Sequence, residues 1–190
     1  MFAVEVTTET FEQDVLRRSQ EVPVVVDFWA EWCGPCRTLG PVLERETEAR
    51  DGDVVLAKVD VDANQELALR YGIQGIPAVK AFRGGRVVNE FVGALSPAAV
   101  AQFLDEVTGP SGTERAVEEL QTSGELPEVV AALEQQDYER ALELRLEVIA
   151  GAEGERRQAL ARLAVELFRD LGDEDPLTMR YRRRLASLLF

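Results

Sequence analysis

Up to about residue 108 the apolar positions come in short β-branched or alternating runs separated by helical stretches; beyond it they recur only at helical spacing. Residues 2–6 predict a short strand, and Thr8 or Thr10 is placed to cap a helix over 9–18 with Phe11, Val15 and Leu16 inward. "VPVVVDFWA" (22–30) is β-branched and aromatic throughout, the pattern of a strand buried on both faces. A helix carrying Leu39, Val42 and Leu43 inward follows to about Arg50, and "DGDVVLAKVDVD" gives a turn and a second buried strand. Asn64 to Tyr71 predicts a short helix ended by Gly72. "AVKAFRGGRVVNEFVG" reads as two alternating strands around Gly84-Gly85, a hairpin. Ser96 and Pro97 open a helix to Val107, as cap and first helical residue. The order β-α-β-α-β-α-β-β-α specifies an α/β fold, a mixed central sheet with helices on both faces.

"TGPSGT" (108–113) changes the composition to turn and linker residues. The predicted organisation is therefore a domain over 1–108, a linker over 109–113 and an all-α domain over 114–190. Within the latter, "EVVAALEQQ", "DYERALELRLEVIA", "ERRQALARLAVELFRDLG" and "PLTMRYRRRLASLLF" are amphipathic. Leu160, Leu163, Ala164, Leu167, Phe168 and Leu171 fall on one helical face, as do Leu177, Tyr181, Leu185 and Leu188. Breaks at 151–154 and 172–175 imply antiparallel neighbours.

Composition narrows the chemistry. With 46% hydrophobic and 29% charged residues the chain can bury a core, and a net charge of −14 disfavours duplex nucleic acid and anionic membrane as partners. No apolar run approaches the roughly 20 residues of a bilayer span, and "MFAVEVTTETFE" lacks a basic stretch followed by an apolar one. A cytoplasmic location is expected. The chain has 2 cysteines, Cys33 and Cys36, and 0 histidines. A zinc site therefore lacks ligands, no metal is expected, and redox chemistry remains for a close pair in a reducing compartment.

A thiol attacks a disulfide as thiolate, and the unpaired N–H groups at a helix start lower its pKa. Cys33, where the helix begins, is the candidate nucleophile. Cys36, one turn inside and shielded, is the resolving thiol of a Cys33–Cys36 redox disulfide. Gly34 permits the tight turn, and Pro35 fixes φ while giving up an N–H. Pro41 removes the bond to the Arg37 carbonyl, and a kink is expected there. Asp27 lies in a buried strand, where a lone carboxylate is costly and its pKa rises.

"VDFWAEWCGPC", "AKVDVDAN" (57–64), "YGIQGIPAVKAFRGG" (71–85) and "FVGALS" (91–96) resemble the thioredoxin family over about 108 residues. The resemblance implies a protein-disulfide oxidoreductase with no cofactor beyond its redox disulfide and electrons from thioredoxin reductase. Asp27 resembles the buried aspartate that accepts the proton of the resolving cysteine, with Lys58 modulating it; the alternative is a structural Asp27–Lys58 pair. Ile76-Pro77 resembles the family's cis-proline loop. Trp32, Gly34, Pro35, Ile76, Pro77, Gly93 and Ala94 correspond to the rim that docks substrates, whereas Trp29 reads as core. Ala78 and Gln74 depart from the threonine and basic residue common in the family, and bear on substrate preference.

"EQQDYERALEL" resembles the turn between the helices of a tetratricopeptide repeat. The ending "RYRRRLASLLF", with the helix before it, is similar to the chaperedoxin (YbbN, CnoX) family, thioredoxin domains fused to tetratricopeptide-like helices. That likeness implies disulfide-containing or unfolding client proteins as partners, and transfer to chaperonin and Hsp70 systems. The helical part here is shortened and the CGPC motif intact. Two other readings stand beside it: an ordinary thioredoxin with a stabilising or dimerising tail, and a co-chaperone or binding module whose redox site is little used.

Overall fold

A computed structural model describes residues 3–172 and 175–189. Phe2 of the first expected strand, Asp173 and Glu174 of the expected 172–175 break, and Phe190 lie outside the described residues. The chain divides into two compact units, Met1–Gly109 and Pro110–Phe190.

In the first unit, β1 (Ala3–Glu5), β2 (Val24–Trp29), β3 (Val55–Asp60), β4 (Ala78–Arg83) and β5 (Arg86–Val92) form one sheet of order β1-β3-β2-β4-β5. β1, β3 and β2 run parallel, while β4 is antiparallel to β2 and β5 to β4. The central β2 is shielded on both faces, which is why "VVVDF" carries no alternation. Val24, Val26 and Phe28 pack with Phe11, Val15, Ala57, Val59, Leu67 and Phe82 on one side. On the other, Val25, Leu56 and Val79 meet Leu39 and Leu43 of α1 (Gly34–Glu48) and Val100 and Leu104 of α3 (Pro97–Thr108). By strand alternation Asp27 belongs to the α1 side, below the helix that carries the cysteines.

The hairpin between β4 and β5 turns at Gly84 (φ +62°) and Gly85 (φ +77°), the two left-handed positions of a type I′ turn. Ser96 Oγ accepts the Ala99 N–H as the cap of α3, with Pro97 at its first position. α2 (Gln65–Arg70) ends before Gly72 at φ +63°. Pro41 lies inside α1. The first helical stretch departs from expectation: it winds as a π-helical turn over Glu12–Arg17 and a 3-10 turn over Arg18–Gln20. Neither threonine caps it through its side chain: Thr8 Oγ1 donates to Asn64 Oδ1 at 3.4 Å, and Thr10 Oγ1 accepts the Thr7 N–H at 3.2 Å.

The second unit contains α4 (Gly112–Ser123), α5 (Pro127–Glu134), α6 (Tyr138–Gly151), α7 (Gly154–Leu171) and α8 (Pro176–Leu189). α4 begins inside the stretch expected as linker. Ser111 and Glu114 form a reciprocal capping box, and the Asp170 carboxylate on α7 accepts the Thr113 N–H at 2.6 Å and the Gly112 N–H at 3.3 Å. A residue 57 positions away thus satisfies donors that the helix start leaves open. α4 packs on α5 and α7, and α6 on α5, α7 and α8. The core joins Leu120, Val129, Leu142, Ile149, Ala164, Phe168, Tyr181 and Leu185. Asp170→Ala is expected to cost the helical unit about 1–2 kcal/mol, the range of a lost cap that leaves buried donors open. Urea unfolding followed by amide exchange in residues 112–123 checks it; unchanged protection of α4 would contradict the role given to Asp170.

Candidate functional site: a disulfide at a helix amino terminus

β2 runs out at Trp29, the chain turns through Ala30–Trp32 with Cys33 N–H on the Ala30 carbonyl at 3.1 Å, and α1 starts. Cys33 is the N-cap residue, and its Sγ accepts the Cys36 N–H at 3.2 Å. Cys33 and Cys36 form a disulfide with S–S 2.05 Å. Cys36, Leu39 and Leu43 share the buried face of α1, so the helix that packs on the sheet also anchors the second sulfur. The first sulfur stays at the helix mouth, where N–H groups and the helix dipole favour a thiolate.

Exposure does not rank the two cysteines. Both are 4% exposed, whereas Cys36 alone was expected to be shielded. In the disulfide each sulfur covers the other, and Ala30, Trp29, Val61 and Ile76 close around the pair. Position on the helix, not accessibility, separates their chemistry.

The predicted rim is assembled from three loops. The Ile76-Pro77 bond is cis, Ile76 packs on the sulfur cluster, and the Pro77 carbonyl accepts the Gly93 N–H at 2.8 Å, joining the proline loop to the end of β5. Gly34, Pro35 and Ala94 are exposed and Pro77 is buried. Trp32 is 68% exposed, and its Nε1 donates to Asp62 Oδ2 at 2.7 Å. Trp29 is half-buried, with its ring beneath the Lys58 ammonium at 5.1 Å. Two neighbours of these loops were not singled out by motif. Asp62 orients Trp32 across 30 residues, and Val92, 70% exposed, pairs with Ala78 beside the proline loop. An apolar residue next to Gly93 is the sequence signal that could have marked Val92; Asp62 lies in the quoted "AKVDVDAN" stretch, but nothing in it points to Trp32.

Asp27 and Lys58 are register partners across β2 and β3. Among the described residues they form no ion pair: Lys58 Nζ lies 3.0 Å from Glu44 Oε1 on α1, and Asp27 Oδ1 is buried without a hydrogen-bond partner. Burial raises the Asp27 carboxyl from its ordinary 3.8 to about 7; the Lys58 charge opposes the rise, and Glu44 and Glu5 add to it. A carboxyl raised on folding binds more protons in the folded state, so stability falls as pH climbs from about 4 to about 7 and then levels. Asp27→Asn is expected to stabilise the first unit by about 2–3 kcal/mol at pH 8 and by little at pH 3.5, structural relaxation having recovered part of the full desolvation cost. Urea midpoints at the two pH values test this; an equal gain at both would contradict a buried ionised carboxylate.

A family model described as Thioredoxin matches residues 2–106, and one described as Tetratricopeptide repeat matches residues 126–190. The chain is 45% identical over 102 residues to a Pseudomonas aeruginosa protein named Thioredoxin, covering 54% of this chain and 93% of that one. It is 42% identical over 104 residues to Thioredoxin 1 of Nostoc, covering 55% and 95%. With a Thioredoxin of Streptomyces clavuligerus it shares 48% identity over 95 residues, covering 50% and 86%.

Proposed function

The chain belongs to the thioredoxin family and is a protein-disulfide oxidoreductase; from that premise we propose that Cys33 and Cys36 reduce disulfides of client proteins that the helical unit helps to hold. The observation that carries the redox half is the Cys33–Cys36 disulfide at the mouth of α1, with Cys33 Sγ on the Cys36 N–H.

The Cys33 thiolate attacks one sulfur of the client disulfide. A Cys33–client bond forms, the client S–S bond breaks, and the other client sulfur leaves as thiolate. Asp27 then takes the Cys36 proton, and the Cys36 thiolate attacks Cys33 Sγ. This releases the second client sulfur and forms the Cys33–Cys36 disulfide, so the client gains two electrons and the protein loses two. A carboxyl poised near neutrality can take that proton and give it up again. Trp32, Gly34, Pro35, Ile76, Pro77, Gly93 and Ala94 dock the client around the sulfurs, and Val92 extends that rim. Thioredoxin reductase is the proposed source of electrons, with no other cofactor, in a reducing compartment such as the cytoplasm.

The match of residues 126–190 to a tetratricopeptide repeat supports the binding half, since stacked helix pairs offer a face to other polypeptides. Two assays test the whole. Insulin reduction with thioredoxin reductase and NADPH should proceed; no turnover from a protein with two titratable thiols would sink the reductase reading. Aggregation of a heated, disulfide-containing client should be suppressed more by the full chain than by residues 1–109, and equal suppression would reduce the helical unit to a structural tail.

A further inference from the structure

On the α1 side of the sheet, one row of register partners runs Glu5 (β1), Lys58 (β3), Asp27 (β2), Val79 (β4) and Phe91 (β5). Its polar half holds a single cation between three carboxylates, those of Glu5, Asp27 and, from α1 above, Glu44. Those are the charged groups facing Asp27; Val79 on β4 and the Val100 and Leu104 contributions of α3 are apolar, and the cysteines sit at the head of α1. Lys58 has a choice of partner, since its register neighbour Asp27 is as near in the sheet as its chain can ask. The ammonium nonetheless sits on Glu44, over the Trp29 ring, and leaves Asp27 Oδ1 without a partner. Solvation explains the preference. Glu44 is 44% exposed and Lys58 20%, so their pair keeps its water, whereas a Lys58–Asp27 pair would take both charges into the interior.

We propose that Glu44 is a positioning residue of the redox site: by holding the Lys58 ammonium on α1, it keeps that cation from neutralising the buried carboxylate on which release of the mixed disulfide depends. The inference rests on the reading of Asp27 as the proton acceptor. A carboxylate paired to lysine would be a weak base, and one left alone in the interior is poised to take a thiol proton. Glu44 thus acts through Lys58 and touches neither sulfur nor client.

The test is the pH profile of the resolution step, measured on the full chain in a single turnover after the Cys33–client adduct forms, together with carbon-13 titration of the Asp27 carboxyl. Asp27→Asn should remove the Asp27-dependent limb. Glu44→Gln should move its midpoint down by about half a pH unit or more as Lys58 turns to Asp27. Lys58→Met should move it up. In the Lys58→Met background Glu44→Gln should have at most about a third of its effect, because the ammonium it positions is gone. An unmoved midpoint in Glu44→Gln, with the limb abolished by Asp27→Asn, overturns the role of Glu44 and leaves Asp27 in place. Equal shifts with and without Lys58 overturn it too, since Glu44 would then act by its own charge. A limb that survives Asp27→Asn overturns both readings together.

Discussion

Cys33→Ser is expected to lower kcat/KM for insulin reduction by at least about 10⁴-fold, to the uncatalysed background, because the hydroxyl can neither ionise near neutrality nor form the mixed disulfide. The sulfur at the α1 N-cap accepts the Cys36 N–H, so the helix start stabilises charge at that atom. A serine oxygen accepts the same hydrogen bond and occupies less volume, so the fold should survive the change. Far-ultraviolet circular dichroism and the urea midpoint of the reduced protein would show this. Activity within about 100-fold of the parent would mean that Cys36 can attack unaided, and the polarity of the couple would be wrong.

Phe168→Ala is expected to cost the helical unit about 3–5 kcal/mol, the usual penalty for removing a fully buried aromatic ring. Phe168 is wholly buried in α7 among the apolar residues of its unit, beneath the Arg182 guanidinium at 5.8 Å. That loss is a large part of the roughly 5–15 kcal/mol that a domain has in total. Amide exchange on the full chain should show α5–α7 losing protection while β2 and β3 keep theirs, with insulin reduction unchanged within about twofold. Client protection should fall with the helices. Equal loss of protection in β2 would contradict two separately built cores.

The elements legible in the sequence are those whose partners are near in the chain or whose burial is complete. β2 announces itself by "VVVDF" because both its faces are covered, and the β4–β5 hairpin by Gly84-Gly85 because its turn needs two left-handed residues. The cysteine pair and the buried Asp27 carboxyl were legible from residue type and position and the proline loop through motif likeness, and the structure places the sulfurs and Ile76 in one cluster. Illegible features depend on distant partners. α4 offers only Ala116, Val117 and Leu120 as apolar signal, and its start is held by Asp170 from another helix. The Thr8 hydroxyl turns to Asn64, 56 residues away, instead of capping the first helical stretch. Lys58 was expected beside Asp27, as the register indeed places it, yet its ammonium goes to Glu44, a choice set by solvation rather than sequence distance. Arg145, which no sequence feature singles out, is buried in the helical unit, with Nε and Nη2 lacking partners among the described residues. Burial lowers its guanidinium to about 10.

In the proposed exchange Cys33 attacks and Cys36 resolves. The rate of mixed-disulfide formation with a protein disulfide, followed by intact mass for reduced Cys36→Ser and reduced Cys33→Ser, tests it most directly. An accumulating adduct through Cys33 is expected in the first variant and an adduct at least about 100-fold slower in the second, whose remaining thiol lies a turn inside the helix. Adduct forming as fast or faster on Cys36 would contradict it.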